Sequence, residues 1–150
     1  MKKYGLLLII LTALSSCAGV IGNIHKYEYN LPPKELKKSI EQVYFLNENL
    51  KPKNSGVKMP YYDPSSEEYA VVTSDDNEQY ILLYSVIDET DSISQKSNLA
   101  LTRGGKKNSV IPLASNLSWL EKRHYRKLFE KNFLPLLDLQ LKGKTTSKKE

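Results

Sequence analysis

The stretch EYAVVTSDDNEQYILLYSVI, residues 68–87, decides the fold of this chain. Its first six and last nine residues are rich in β-branched and aromatic side chains, which favour extended strands. Residues 74–78 between them, SDDNE, supply turn formers and include an asparagine that tolerates left-handed backbone geometry. The sequence therefore predicts a β-hairpin with strands at 68–73 and 79–87.

The second strand of this hairpin is apolar over almost its whole length, which indicates a central place in a sheet. Successive side chains of a strand point to opposite faces. One face is expected to carry Ile81, Leu83 and Ile87, and the other face Tyr80, Leu82, Tyr84 and Val86.

The chain before the hairpin predicts a strand followed by a helix. Alternation over residues 26–31 places Tyr27, Tyr29 and Leu31 on one face of a first strand, which ends at Pro32 and Pro33. A helix is predicted over 34–50, because proline is tolerated in a first helical turn and apolar residues then recur at helical spacing. These apolar positions are Leu36, Ile40, Val43, Leu46 and Leu50.

The chain after the hairpin predicts a second hairpin and a second helix. Strands at 98–103 and 109–113 flank a turn at 104–107, and Pro112 places the last strand at an edge. Ser118 and Glu121 have the spacing of a capping box at the start of a helix over 119–134, which Pro135 ends or kinks. The apolar positions of this helix are Tyr125, Leu128, Phe129 and Phe133.

The order strand, helix, hairpin, hairpin, helix predicts an α+β fold. We expect a mostly antiparallel sheet of about five strands with two helices on one face. The length of 150 residues suits a single domain, which we place at 27–141. Residues 142–150, KGKTTSKKE, contain no apolar side chain and are expected to form a disordered basic tail.

The first residues of the chain have the layout of a secretory signal peptide. Lys2 and Lys3 precede an apolar segment that begins at Leu6 and is too short to span a bilayer, and small residues follow it. We therefore expect residues 1–16 to be cleaved. Because Lys2 and Lys3 are the only charged residues of this segment, its removal lowers the formal net charge from +5 to +3.

The residues Leu14-Ser15-Ser16-Cys17 resemble the lipobox of bacterial lipoproteins. This resemblance implies that Cys17, the only cysteine, is acylated and anchors the protein to a membrane. Residue Ala18 after the cysteine resembles the pattern that directs lipoproteins of enteric bacteria to the outer membrane. We therefore expect a lipid-anchored protein of the cell envelope, in which residues 17–26 form the lipidated cysteine and a short tether. The layout of the folded part, with FEKNF at 129–133, resembles small uncharacterised lipoproteins.

Charge is segregated along the sequence. Residues 59–95 contain nine acidic residues and no lysine or arginine. The second predicted helix carries the basic residues Lys122, Arg123, Arg126, Lys127 and Lys131. We expect this basic helix to contact an anionic envelope surface, while an ordinary solvated helix face remains the alternative. The aromatic residues do not interleave with the basic ones as in strand-binding grooves, and no nucleic acid is expected as a partner.

Three aromatic residues form a separate candidate for contact with a protein partner. Tyr61 and Tyr62 lie in a proline-containing segment that predicts a loop, and Trp119 lies at the start of the second helix. Aromatic side chains concentrate binding energy at interfaces. Membrane head groups and a protein partner therefore remain two alternatives for the surface of this domain.

The sequence offers little chemistry for catalysis. His25 lies in the expected tether, where nothing fixes its ring. His124 lies between Arg123 and Tyr125 on the second helix. No catalytic or metal-binding motif is present, so we expect neither a metal nor a cofactor. The predicted function is a non-enzymatic binding or structural module. The alternatives are a periplasmic hydrolase that uses loop carboxylates such as Asp63 with Glu67 or Asp88, and an inhibitor or immunity-type protein that acts on an envelope enzyme.

Overall fold

The computed structural model describes residues 22–51, 68–88 and 96–146, and it has the predicted α+β fold. Short 3-10 turns at Glu48–Leu50 and Ala114–Asn116 accompany the strands and helices. In chain order, the strands and helices are β1 (His25–Tyr29), α1 (Pro33–Leu46), β2 (Glu68–Thr73), β3 (Gln79–Asp88), β4 (Ser97–Lys106), α2 (Trp119–Asn132) and α3 (Leu134–Thr146).

The described strands form one antiparallel sheet in the order β1-β4-β3-β2. The β2–β3 hairpin is confirmed, with Val71 opposite Ile81, and Asn77 in its turn has the positive φ of 62° that asparagine tolerates. Strand β3 is central, as predicted, because it pairs with β2 and β4. The alternation along β3 is also confirmed, since Tyr80, Leu82 and Tyr84 lie in the larger core cluster and Ile81 and Leu83 in the smaller one.

The larger core cluster lies between the helices and one face of the sheet. Its centre is aromatic: the rings of Phe129 and Phe133 are stacked with centroids 4.8 Å apart, and Tyr84 lies 5.1 Å from Phe133. All three side chains are fully buried. The buried positions predicted for the second helix are thereby confirmed.

The first helix differs from its prediction at its end. Residues Leu36, Ile40 and Val43 are buried as expected, but Leu46 is 62% exposed. The helix ends at Leu46, and the tighter 3-10 turn that follows rotates the chain, so that Leu50 is buried again. The expected burial of Leu46 assumed one continuous helix.

The second predicted hairpin is wrong. Strand β4 continues through Gly104 and Gly105, which pair with β3, and residues 109–113 contribute one isolated bridge to β4. The sheet therefore has four described strands instead of about five. The two glycines are needed for close packing, because a Cβ on Gly104 would lie 2.5 Å from Cγ of Tyr125, and one on Gly105 would lie 3.3 Å from Cγ1 of Ile111.

The helical region near the C-terminus is interrupted once. Helix α2 ends at Asn132 and α3 begins at Leu134, so Pro135 lies in the first turn of α3. Proline is tolerated there, because the N–H groups of a first turn make no hydrogen bond within the helix. This confirms the predicted break. Because α3 continues to Thr146, residues 142–146 of the expected tail are helical, and 147–150 lie outside the described residues.

The folded part also begins earlier than the sequence predicted. Strand β1 starts at His25, within the expected tether, and the N–H of Ile24 already donates to the carbonyl of Leu101 over 2.7 Å. Residues Tyr27, Tyr29 and Leu31 pack against the larger core cluster, as the alternation predicted. The connection between Cys17 and the domain is therefore shorter than nine residues.

Candidate functional site

The start of helix α2 is fixed by the predicted capping box. The N–H of Glu121 donates to Oγ of Ser118 over 3.3 Å, and the N–H of Ser118 donates to Oε2 of Glu121 over 2.8 Å. The Ser118 hydroxyl also donates to Oε2 of Glu121 over 2.6 Å, and this bond together with the one from the Ser118 N–H lowers the pKa of the Glu121 carboxyl. Leu117, directly before the cap, is buried. The helix start is therefore held by the packing of Leu117 before the cap and by the capping hydrogen bonds after it.

Two large apolar side chains at this helix start face solvent. Trp119 is 67% exposed and Leu120 is 69% exposed. Helical periodicity explains this, because Tyr125, Leu128 and Phe129 define the buried side and residues 119, 120 and 123 fall on the other. The guanidinium of Arg123 lies over the Trp119 ring, 5.4 Å from its centroid. We name Trp119, Leu120 and Arg123, together with the half-buried Lys122 beside them, the Trp119 surface.

The five basic residues predicted to contact an anionic surface do not act alike. Arg126 pairs with Glu130 over 2.7 Å, and Lys131 pairs with Asp75 in the β2–β3 turn. Across residues 22–51, 68–88 and 96–146, no carboxylate forms an ion pair with Lys122, Arg123 or Lys127. Among these five residues, the side chains without an ion pair in the described ranges are therefore Lys122 and Arg123 in the first half of α2 and Lys127 in its second half.

The N-terminal end of the described chain lies beside the same region. A Cβ on Gly22 would lie 4.0 Å from the backbone nitrogen of Ser115, in the turn Ala114–Asn116 that precedes Ser118. Gly22 follows Cys17 by five positions, which limits their distance to about 18 Å. The position of any anchor on Cys17 is thus restricted to the neighbourhood of the turn before α2.

Glu68, Asp75 and Glu78 of the first hairpin pair with lysines of other elements. Glu68 binds Lys51 over 2.6 Å, and Glu78 binds Lys106 over 2.8 Å. Hydrogen bonds from Lys106 and Tyr80 lower the pKa of Glu78. With the pair of Asp75 and Lys131, these contacts place opposite charges side by side, although the sequence separates them. Asp63, Glu67 and the side chain of Asp88 lie outside the described residues.

The two histidines occupy different environments. His25 is the first residue of β1, and its ring packs edge-on against Tyr27 at 4.8 Å, so the expectation that nothing fixes this ring is wrong. Burial and the nearby Arg126 charge lower the pKa of His25. His124 is exposed and packs edge-on against Tyr80 at 5.1 Å. In the described part of the chain, no group of three metal-ligating side chains comes together.

A second candidate is an open groove of about 1120 Å³ beside the edge strand β2. The end of α1, the turn Glu48–Leu50 and strand β2 form its walls. Phe45 lines it and is 83% exposed. On one side, the ammonium of Lys51 lies 5.1 Å from the centre of the Tyr44 ring, and the Tyr44 hydroxyl donates to the Tyr69 carbonyl over 2.8 Å.

The sequence prediction named Trp119 but neither Leu120 nor Phe45. Both are large apolar residues that do not belong to the buried stripe of their helices. This mismatch is the sequence signal that could have identified them. Tyr61 and Tyr62 lie outside the described residues, so the predicted contact of these tyrosines and Trp119 with a protein partner stays a prediction. Among the helices that the structure describes, none combines the length and the apolar character needed to cross a membrane.

Comparison with known proteins gives no assignment: no family model, no curated protein and no solved structure matches this chain.

Proposed function

We propose that this protein is a bacterial lipoprotein, anchored through acylated Cys17, whose domain is a non-enzymatic binding or structural module of the cell envelope. The observation that carries the proposal is the sequence from Lys2 to Cys17, which has a signal-peptide layout and ends in Leu14-Ser15-Ser16-Cys17. The described residues begin five positions after Cys17, at Gly22. The anchor therefore holds the domain directly at the membrane surface.

The described side chains offer no carboxyl pair for a hydrolase, while Asp63, Glu67 and the side chain of Asp88, which that alternative names, lie outside the described residues. A glycosidase-type site needs two carboxyl groups that face each other across a substrate, one of them with a raised pKa. The described carboxyl groups with a shifted pKa, Glu78 and Glu121, both shift downward because they accept hydrogen bonds. Glu68 and Asp75 are engaged with lysines at the surface.

The anchor also limits the partners of this module. Three acyl chains hold a protein to a bilayer essentially permanently, since each buried methylene contributes about 0.8 kcal/mol. The domain consequently meets membrane head groups or other envelope proteins and not free nucleic acid. Ala18 directly after Cys17 favours the outer membrane as its location.

Expression in a diderm bacterium, followed by intact-mass analysis and membrane fractionation, tests this proposal. We expect a mature chain that starts at Cys17, carries the mass of the acyl groups and sediments with outer membranes. Cys17→Ala should leave the signal segment uncleaved and remove the acyl mass. Ser16→Ala keeps a small residue before the cysteine and is the matched control. A Cys17→Ala protein of the same mass and location as the Ser16→Ala protein would refute the lipoprotein assignment.

A further inference from the structure

We infer that the Trp119 surface is seated in the head-group region of the anionic bilayer leaflet that holds the anchor. This inference rests on the proposed function, because it takes acylated Cys17 as given. It adds an orientation: the start of α2 faces the lipid, and the β2 edge of the sheet faces away from the anchor site.

The first argument is distance. Gly22 lies beside Ser115, and Ser115 is three residues before the helix cap Ser118. Cys17 lies within about 18 Å of Gly22, because five residues cannot span more. Trp119 follows Ser115 by four residues and is limited to about 14 Å from it. Trp119 therefore lies within about 18 Å of Gly22, the residue from which the chain leads back to Cys17.

The second argument is side-chain chemistry. Tryptophan prefers the boundary between hydrocarbon and water, where its ring is partly desolvated and its N–H keeps a hydrogen-bond partner. Leu120 adds a second exposed apolar side chain directly beside it. Arg123, whose guanidinium lies over the indole, is positioned to bind a lipid phosphate at the depth where the ring enters. One helical turn thus presents an apolar tip with basic residues around it.

The third argument is the charge at this end of α2. Lys122 and Arg123 carry positive charge there, and the N-terminal end of the helix adds a partial positive charge. Glu121 opposes them, but its carboxylate is turned back to the Ser118 backbone N–H and Oγ. Each basic residue near an anionic surface changes the partitioning about fivefold, within a Debye length of about 8 Å at physiological salt.

The chain provides its own probe for this contact, because Trp119 is its only tryptophan. The lipidated full-length mature protein would be reconstituted into vesicles that contain phosphatidylglycerol and, separately, into phosphatidylcholine vesicles. We expect a blue shift of the Trp119 emission, and quenching by lipids brominated near the head group, in the anionic vesicles. Both signals should weaken in phosphatidylcholine vesicles and at high salt.

Charge reversal distinguishes binding through the Trp119 surface from an effect of the protein's net positive charge. The variant Lys122→Glu with Arg123→Glu should lose most of the quenching in anionic vesicles. The control Lys37→Glu with Lys38→Glu makes the same change in net charge on α1, at exposed positions, and should keep the quenching. Circular dichroism of each variant checks that the fold is retained.

The outcomes distinguish this inference from the proposed function. Protein that floats with the vesicles while Trp119 stays unquenched would overturn the lipid contact and leave the lipoprotein assignment standing. Protein that does not float at all would overturn the assignment itself. A tryptophan that is exposed on vesicles but protected in native envelope membranes would overturn the lipid contact in favour of a protein partner.

Discussion

Gly104 and Gly105 matter to this fold because they lack side chains. They lie side by side in β4, so their missing Cβ atoms open space on opposite faces of the sheet. Tyr125 of α2 occupies the space over Gly104, and Ile111 occupies the space over Gly105. A pair of small residues thus brings one helix and one loop against the sheet.

We expect Gly104→Ala to destabilise the protein by about 1–3 kcal/mol, the usual range for overpacking a core. The added methyl would meet Cγ of Tyr125 at 2.5 Å, and the ring is part of a buried aromatic cluster that leaves it little room to move. Urea unfolding monitored by circular dichroism measures the effect. Gly105→Ala is the control and should cost less, because its contact with Cγ1 of Ile111 is 3.3 Å. A larger loss for Gly105→Ala would contradict the packing described for α2.

Tyr44 gives a second prediction at the residue scale. Its hydroxyl donates to the Tyr69 carbonyl over 2.8 Å and is hydrogen-bonded to the Tyr84 hydroxyl. Tyr44→Phe should therefore lower the free energy of unfolding by about 1 kcal/mol at neutral pH. Tyr29→Phe is the control, because within the described ranges its hydroxyl has no hydrogen-bond partner, although burial raises the pKa of Tyr29 to about 12. Equal stability of the two variants would contradict this network.

The same tyrosines predict a loss of stability in alkali. Burial raises the pKa of Tyr44 and Tyr84 above their ordinary value of 10.0 in the folded protein. Above about pH 10 the unfolded chain ionises while the folded chain stays protonated, so the free energy of unfolding falls as the pH rises. Unfolding curves across this range should show a shallower fall for Tyr44→Phe than for the wild type. An identical pH dependence would exclude Tyr44 as a contributor.

At the scale of the element, the cap of α2 controls the geometry of the Trp119 surface. Ser118→Ala removes the acceptor of the Glu121 N–H, and we expect a loss of about 1 kcal/mol at neutral pH. The Ser118 hydroxyl also donates to the Glu121 carboxylate and lowers its pKa, so the part of the wild-type advantage that comes from this bond is present above the ordinary glutamate value of 4.5 and is lost as the pH falls through the folded-state value. Unfolding at neutral and acidic pH measures this, with the exposed Ser115→Ala as the control. A Ser118→Ala defect that persists unchanged in acid would contradict the capping box.

The elements that could be predicted from the sequence are those encoded locally. The β2–β3 hairpin followed from alternation and a turn, and α2 followed from a cap and a helical stripe. The role of the Gly104-Gly105 pair could not be predicted in the same way, because a glycine pair has the same local signature in a turn and under a packed ring. The pairing of Asp75 with Lys131 depends on α2 lying near the β2–β3 turn, 56 residues away in sequence. For the described residues Glu68, Asp75 and Glu78, charge segregation in the sequence therefore did not become charge segregation in space.

At the scale of the whole molecule, we propose that the length of the tether influences how often the Trp119 surface contacts the bilayer. In the proposed anchored state, a short tether would keep this surface at high effective concentration near the bilayer, so that even weak lipid contacts would be occupied. The groove beside β2 lies at the opposite edge of the sheet from β1, the strand that follows the tether. The orientation that places Trp119 in the lipid leaves this groove open to the surrounding envelope.

Lengthening the tether tests this coupling. Inserting about 20 flexible Gly/Ser residues after Gly19 raises the root-mean-square reach from about 13 Å to about 28 Å, and lowers the effective concentration of the Trp119 surface at the bilayer about tenfold. We expect the quenching of Trp119 in phosphatidylglycerol vesicles to become weaker and to vanish at a lower salt concentration than in the wild type. The acyl anchor is unchanged, so the amount of floated protein should stay the same. The control carries the same insertion after Glu150, where it leaves the tether intact, and its salt dependence should match the wild type. Equal quenching in both insertion variants at every salt concentration would show that tether length does not govern the contact.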